Sequence, residues 1–404
     1  MKVVSVISAF PENSIVIGRF EHLVKSDTID YHVYCWESKP ESWEFWTKNI
    51  TKQEKKKVII SGISNVRSLK IFSELLGVIW FLLNNPKISQ KHYSQFKNKP
   101  FRKYLSALLD DYKLMRLKPD ILHFEFGTMA VTKSYLAKII SCKVVTSFRG
   151  YDINYYRLGN DKIYEAVWNN TDAFHFLGKD LYNRALLRGY RGDKKNFFIP
   201  PAINVMHFKN RDAKIAIIGK AINIISVSRL VWKKGVEFGL LAFKYFIDKG
   251  GEGVYHIVGD GPSAESIKFT IYELGLQDKV ILHGKLKPEE TKELLQKSDV
   301  FLHPAISEGF CNSVIEAQAM ELPVICSDAD GLLENIEDGE TGYGVKKWDY
   351  NAMGKKLFYL FNNPEERIRM GKNGRERVIN KYRIEDQTNK FIELYNSLVP
   401  YDEN

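Results

Sequence analysis

The sequence predicts an α/β protein built from two doubly wound parallel sheets. Short runs rich in Val and Ile alternate with longer helical patterns along the 404 residues. Helical segments between buried strands imply right-handed crossovers and parallel pairing. The alternation stops once, at IPPAINVMHF (199–208), where Pro200-Pro201 holds the chain extended, and then restarts. A chain of this length has room for two cores.

Taken in order, strands are expected at 3–7, 32–34, 58–60, 121–124, 144–147 and 174–176. The opening MKVVSVISAF reads as the first of them rather than as a signal peptide, because its apolar run is short and Pro11 follows. After the break, strands are expected at 222–227, 254–258, 280–282, 300–302 and 324–326, then helices at 351–362, 364–380 and 385–398. A hinge near 200–215 would leave a cleft between the two domains. Open parallel sheets bind ligands beyond the carboxyl ends of their strands, so function is expected there.

Composition narrows the class. Hydrophobic residues make up 44% and charged residues 27%, the balance of a globular chain rather than a disordered one. The longest apolar stretch, 75–83, has nine residues against the roughly 20 needed to span a bilayer. Cys35, Cys142, Cys311 and Cys326 form no CxxC pair and no His-spaced cluster, which argues against a disulfide framework or structural zinc and fits a reducing compartment. Collagen, coiled coil, transmembrane protein and disulfide-rich secreted domain are excluded.

The net charge of +10 is uneven: residues 1–210 carry +14 and the remainder −4. Between Lys87 and Lys103 there are six basic residues and no acid, just after the apolar run holding Trp80 and Phe81. Two readings stay open, a solvated basic face and contact with an anionic membrane surface. Nucleic acid is disfavoured because no reading motif accompanies the charge.

The most informative segment is Ser307–Glu316, SEGFCNSVIE, which runs from a strand through a loop into a helix beginning near Asn312. Amides at that helix start, beside Gly309, make an anion site. Glu308 and Glu316 lie roughly 10–12 Å apart on such a path. That spacing suits a nucleotide sugar, with one carboxylate at the sugar, the other at the ribose and the diphosphate between. Read alone, they are equally two surface glutamates. The segment SRLVWKKG adds Arg229 and Lys234 at the carboxyl end of the second domain's first strand, where two cations would neutralise a diphosphate leaving group. VGDGP, with Gly261, is a glycine turn after a strand and a weak signal alone. In LHGK, His283 either reads a nucleobase edge or is a turn residue.

Together, Arg229 with Lys234, VGDGP, LHGK, Glu308 to Glu316, and Gly331, Glu334 and DGETG resemble the retaining nucleotide-sugar glycosyltransferases of family 4. Phe10-Pro11-Glu12-Asn13-Ser14 is similar to the first loop of the colanic-acid and exopolysaccharide branch. The resemblance implies a GT-B architecture: a Rossmann-like acceptor domain (1–205), a Rossmann-like donor domain (206–380) and a terminal helix (381–404) crossing back to the first. It implies that Arg229 and Lys234 hold the donor diphosphate, Glu316 the ribose, and Glu308 the donor sugar. The amides of Gly309, Phe310, Asn312 and Ser313 would lie nearby, and Gly261 and His283 on the donor side. The donor would be UDP- or GDP-linked, the acceptor a glycan or lipid-linked glycan, and no cofactor or metal is expected, in agreement with a reading of the sequence that finds no Asp-x-Asp at a strand end. The implied setting is cytoplasmic, peripheral on the inner membrane face.

Two places depart from the pattern. Where relatives carry HxH and HG[FY]D, this chain reads His123-Phe124-Glu125-Phe126-Gly127 and Arg149-Gly150-Tyr151-Asp152. Arginine accepts no proton at neutral pH, so Arg149 cannot be a base. Glu125 and Arg149 either pair with each other or contact substrate; Asn13, Ser14 and Asp152 are grouped with them on the acceptor side. The alternatives to a membrane-surface transferase are a soluble epimerase or synthase of the same architecture and a non-catalytic sugar-nucleotide binder. No GxGxxG follows the first strand, which disfavours an oxidoreductase.

Overall fold

The computed structural model describes residues 1–9, 14–37, 51–60, 68–209 and 221–399. The chain divides into two compact units, one of Met1–Leu177, Leu181–Ile199 and Gln387–Asn404, the other of Gly178–Asp180 and Pro200–Asp386. The passage between units thus falls at 199/200 and 386/387, against 205/206 and 380/381 in the sequence reading. Asn13 lies outside the described residues; Ser14 opens the helix Ser14–Val24.

The first unit is built on seven described strands: β1 (Lys2–Ala9), β2 (Asp30–Glu37), β3 (Val58–Ile60), β4 (Ile121–Phe124), β5 (Lys143–Phe148), β6 (Ala173–Phe176) and β7 (Lys195–Phe198). Their order is β3-β2-β1-β4-β5-β6-β7, and every pairing is parallel. The second unit repeats the scheme with β8 (Ile222–Val227), β9 (Gly253–Val258), β10 (Val280–Gly284), β11 (Val300–His303), β12 (Val324–Ser327) and β13 (Gly342–Val345). Its order is β10-β9-β8-β11-β12-β13, again all parallel. In each sheet the chain reverses direction beside its first strand, at β1/β4 and at β8/β11. Crossovers leave on opposite faces there and open a crevice at the strand ends.

The sequence reading omitted β7 and β13, both edge strands. KNFF in β7 has no buried residue, and GYGV in β13 carries two glycines, so neither shows the continuous apolar run of an interior strand. The interior strands β4, β6, β11 and β12 are buried throughout.

The helix Ile384–Asn396 contributes Phe391, Leu394 and Tyr395 to the first unit's core, against Val3, Phe20, Tyr31 and Val145. A buried hydrogen-bond chain ties it to the sheet. His175 Nε2 donates to the Ile199 carbonyl (2.8 Å), which leaves its Nδ1 to accept from Ser147 Oγ (2.7 Å). Ser147 then accepts from His123 Nε2 (2.7 Å), so His123 Nδ1 accepts from the Tyr395 hydroxyl (2.8 Å). One carbonyl, which can only accept, sets both tautomers. Burial keeps the imidazoles neutral, with His123 pushed down to about 4.

The basic segment forms the helices Pro86–Phe96 and Phe101–Leu117, following Ser68–Asn84. Buried Asp111 anchors them, accepting from Lys133 Nζ (2.5 Å) and Tyr135 and meeting His92 Nε2 (3.1 Å). Trp80 is 55% exposed under the Arg116 guanidinium, but Phe81 is fully buried, contrary to its grouping with Trp80 in the sequence reading. Neighbouring helical positions point about 100° apart, so one apolar pair rarely shares a face.

Phe391 packs in this core and lies 3.9 Å from the Arg19 guanidinium. Phe391→Ala should therefore cost about 3–5 kcal/mol, read as a lower midpoint in urea unfolding. A loss below about 1 kcal/mol, the range of surface substitutions, would contradict this packing.

Candidate active site

In the second unit, the loops leaving β8 and β11 are laced together at the switch point. The amides of Ile306 and Ser307 donate to the Lys233 carbonyl (2.8 and 3.2 Å). Gly235 (φ +59°) lets this approach happen, since a Cβ there would sit 2.2 Å from the Pro304 oxygen. Gly261 supports the same loop: its missing Cβ would lie 2.3 Å from the Leu230 oxygen, so the glycine turn braces the backbone that carries Arg229. On the other side, the Gly331 amide donates to the Glu308 carbonyl (3.0 Å), while Asn335 bonds both the N–H and C=O of Cys311 (3.2 and 3.0 Å).

This lacing holds a compact charged group. Lys234 Nζ bonds Glu308 Oε2, His303 Nε2 lies 3.7 Å from the same oxygen, and Cys311 Sγ lies 3.3 Å from His303 Nε2. Burial opposes ionisation of Glu308, yet Lys234 and His303 outweigh it and hold the carboxyl at about 2. Burial likewise works against charge on Lys234, His303 and Cys311. Glu308 raises Lys234, Cys311 and Glu308 raise His303, and His303 with Lys234 lowers Cys311. The Arg229 side chain, in contrast, is exposed and makes no hydrogen bond or ion pair among the described residues.

The helix Asn312–Ala319 follows directly, and its first amides, including Asn312 and Ser313, have no intrahelical acceptor. Asn312 Oδ1 is buried without a partner. One turn on, the Glu316 carboxyl also lacks any partner among the described residues, and burial pushes it up to about 7. Residues four apart share a helix face. This face therefore presents two unsatisfied acceptors. Phe310 packs its ring edge-on against Tyr382, centroids 5.9 Å apart.

His283, at the β10 bulge, is oriented by a relay. Asn223 Nδ2 donates to the Lys297 carbonyl (3.2 Å), so its Oδ1 accepts from His256 Nε2 (3.4 Å). His256 Nδ1 then accepts from His283 Nε2 (3.0 Å), and His283 Nδ1 is left as an acceptor. Burial lowers both imidazoles, and His283 further lowers His256.

Contrary to the sequence reading, an Asp-x-Asp does stand at a strand end, Asp328-Ala329-Asp330 directly after β12. Its carboxylates are engaged: Asp328 with the Lys347 amide (2.8 Å) and Lys346 Nζ (3.0 Å), Asp330 with Ser307.

Residues 208–377 match the family model described as "Glycosyl transferases group 1". The second unit is a group 1 glycosyltransferase domain. Over 177 residues the chain is 31% identical to the capsular polysaccharide biosynthesis glycosyltransferase CapM of Staphylococcus aureus, covering 44% of this chain and 46% of that protein. It thus spans less than half the length of that curated relative. N-acetyl-alpha-D-glucosaminyl L-malate synthase of Bacillus anthracis is 25% identical over 79% of this chain and 85% of its own. The fold of the chain is GT-B. HepE of Anabaena, crystallised with UDP-glucose, superposes with a TM-score of 0.74 at 14% identity, over 98% of this chain and 100% of that one.

The first unit accompanying this glycosyltransferase domain also concentrates charge at its switch point. Glu125, directly after β4, is fully buried. Its Oε1 accepts from Arg19 Nη2 and Ser5 Oγ (both 2.5 Å), its Oε2 from Arg149 Nη2 (2.5 Å), and its carbonyl from Arg149 Nε (2.9 Å). The two residues that break the expected histidine pattern are paired, and Arg19, absent from the sequence reading, completes a three-membered network. Burial disfavours the Glu125 charge, but Arg19, His123 and Arg149 overcome it and hold the carboxyl well below its usual range. Asp152, grouped by sequence with the acceptor-side residues, is fully buried. It accepts from the amides of Gly127, Arg149 and Ile153 (2.9, 2.9 and 3.1 Å), so it braces the loop rather than facing a ligand.

The network is asymmetric. Glu125→Ala strands two buried guanidinium groups and should cost about 3–5 kcal/mol. Arg149→Ala leaves Glu125 neutralised by Arg19 and should cost less than half as much. The double mutant should recover only part of the loss, because Arg19 stays unpaired. Equal costs for the two single mutants in chemical denaturation would contradict the network.

Proposed function

We propose that this chain is a retaining, metal-independent glycosyltransferase that moves a sugar from a UDP- or GDP-linked donor to a glycan or lipid-linked acceptor in cell-surface polysaccharide assembly. The observation that carries the reading is the buried, unpartnered Asn312 Oδ1 and, one turn on, the half-buried Glu316 carboxylate without a partner among the described residues, on one helix face after the Lys234–Glu308 pair. Buried acceptors without partners are costly. A nucleotide sugar supplies hydroxyl donors to them and an anion to the neighbouring cations.

In this reading Glu316 binds the ribose, and Arg229 and Lys234 take the diphosphate with the helix amides. Glu308 contacts the donor sugar and holds Lys234 in place until the anion arrives. His283 Nδ1, an acceptor, favours a base edge carrying N–H, as uracil and guanine do. The acceptor oxygen bonds to the anomeric carbon on the face the diphosphate leaves, and the departing phosphate oxygen takes its proton. Arg149 and Ser14, with Asn13, belong to the acceptor side; Glu125 positions Arg149.

A second reading, a synthase acting on a small soluble acceptor, is favoured by the longer span of the Bacillus anthracis relative. The first unit's surface favours the lipid-linked one. Leu75, Leu76, Ile79, Trp80 and Leu83 form an exposed stripe on one helix, followed by exposed Phe101 and the lysines from Lys87 to Lys103. Apolar side chains rimmed by lysine match an anionic membrane interface. No helix among the described residues is long and apolar enough to cross a membrane. The proposed setting is peripheral, on the inner face of the membrane.

A thermal-shift panel of nucleotide sugars tests the reading, because a bound donor raises the midpoint. Absence of any shift with UDP- and GDP-sugars would sink it. Arg229→Ala and Lys234→Ala should each lower turnover by about two orders of magnitude or more. With its carboxyl at about 7, Glu316 is protonated in mildly acidic solution and ionises as pH rises. The ionised form accepts two ribose hydroxyls. Donor affinity should thus climb between pH 6 and 8 and flatten in Glu316→Gln, and an unchanged pH profile in that variant would remove Glu316 from the ribose.

Vesicle flotation decides between the two acceptor readings. Neutralising Lys91, Lys97, Lys99 and Lys103 should abolish binding to anionic vesicles, since each contributes about 1 kcal/mol. Trp80→Ser with Ile79→Ser should weaken the binding that survives high salt. Equal binding to neutral and anionic vesicles would contradict the basic face as a membrane contact.

A further inference from the structure

We propose that His303, Glu308 and Cys311 form a binding site for a thiophilic divalent cation, zinc being the type, and that its occupation shuts the donor site. The shutting, though not the binding, rests on the donor reading of Lys234 and Glu308. Sequence spacing conceals the site, because seven residues separate His303 from Cys311 and no zinc motif has that form.

The geometry points to it directly. The ligand atoms of the three residues all lie within 4.8 Å of one another. His303 Nε2 is 3.3 Å from Cys311 Sγ and 3.7 Å from Glu308 Oε2. Zinc bonds nitrogen and oxygen at about 2.0–2.2 Å and sulfur at about 2.3 Å, and tetrahedral angles then put ligand atoms about 3.3–3.6 Å apart. The two pairs that include His303 already stand near these separations, and the Cys311–Glu308 pair, within 4.8 Å, closes by movement of the half-buried Glu308 side chain. Imidazole, carboxylate and thiolate are the ligands such an ion prefers, and three protein ligands leave a fourth position for water.

The framework is rigid. His303 ends β11 and is 1% exposed; Cys311 is 4% exposed, with Asn335 bonding both of its backbone groups. Glu308, half-buried, supplies the side open to an entering ion. Binding releases the Cys311 thiol proton to solvent. Thiol, carboxylate and the Lys234 ammonium sum to zero before binding; loss of the thiol proton and arrival of a dication bring the cluster to +1.

Oxygen Oε2 of Glu308 explains the inhibition. It is the atom that Lys234 Nζ bonds and also the one facing His303. A cation on that oxygen displaces the ammonium, which then no longer stands where the donor diphosphate needs it. Transfer requires no metal in this scheme, and zinc opposes it.

Cobalt(II) titration of the full-length protein, with no sugar donor present, tests the site. Wild type should bind one equivalent and develop a near-ultraviolet thiolate-to-cobalt charge-transfer band with tetrahedral visible bands. Cys311→Ala should lose the charge-transfer band and bind zinc at least tenfold more weakly by calorimetry, and His303→Gln should also bind at least tenfold more weakly. Cys142→Ser should keep band and affinity. No band in wild type, or undiminished zinc binding in Cys311→Ala and His303→Gln, overturns the site whatever the enzyme's reaction. Micromolar zinc should slow donor turnover in wild type and leave Cys311→Ala turnover unchanged. Binding without inhibition overturns the brake.

Discussion

Strand order constrains everything else in this protein. In both sheets the second and fourth strands in sequence flank the first, so successive crossovers leave in opposite directions and cannot cover the strand ends between them. At β8 and β11 the uncovered backbone must be satisfied by loops. Those loops bond each other through Lys233, Ile306 and Ser307. The lysine and glutamate they carry are therefore brought together as a consequence of closing the crevice, and the helix Asn312–Ala319 starts where its free amides face it.

The two switch points treat buried charge in opposite ways. In the first unit the account is closed: Glu125 receives two guanidinium groups and a serine hydroxyl, and Asp152 receives three amides. Such a network resists change, since removing one member leaves another charged and dry. In the second unit the account is open. Asn312 Oδ1 is buried without a partner, the half-buried Glu316 carboxyl has none among the described residues, and Arg229 is exposed without a carboxylate. Unsatisfied groups cost stability in the free protein, and a ligand that satisfies them recovers that cost as affinity. Perturbed groups in such a place mark where ligands act.

The histidines show how one fixed hydrogen bond propagates. A carbonyl at Ile199 sets His175, then Ser147, then His123, and ends on Tyr395 of the terminal helix. A side-chain amide at Asn223 does the same for His256 and His283, except that the chain ends on an open acceptor. The first relay is spent on holding a helix to a sheet. The second leaves a nitrogen with a defined polarity at a strand end.

Sequence by itself determined the alternation of strands and helices, the break near Pro200, and the position of Arg229, Lys234, Glu308 and Glu316 after particular strands. Interior parallel strands are dry on both faces and must be written in Val and Ile, so they and the loops after them are legible. Edge strands β7 and β13 are not, because half-wet strands tolerate Lys, Asn and Gly. Tertiary structure alone decided which charges meet. Arg19 reaches Glu125 across 106 positions and Tyr395 reaches His123 across 272. It also decided that Asp152 and Phe81 turn inward while Trp80 stays out, and that His303 and Cys311 converge on Glu308. The pairing of side chains depends on distances that folding sets, and linear spacing carries no record of them beyond a few helical turns.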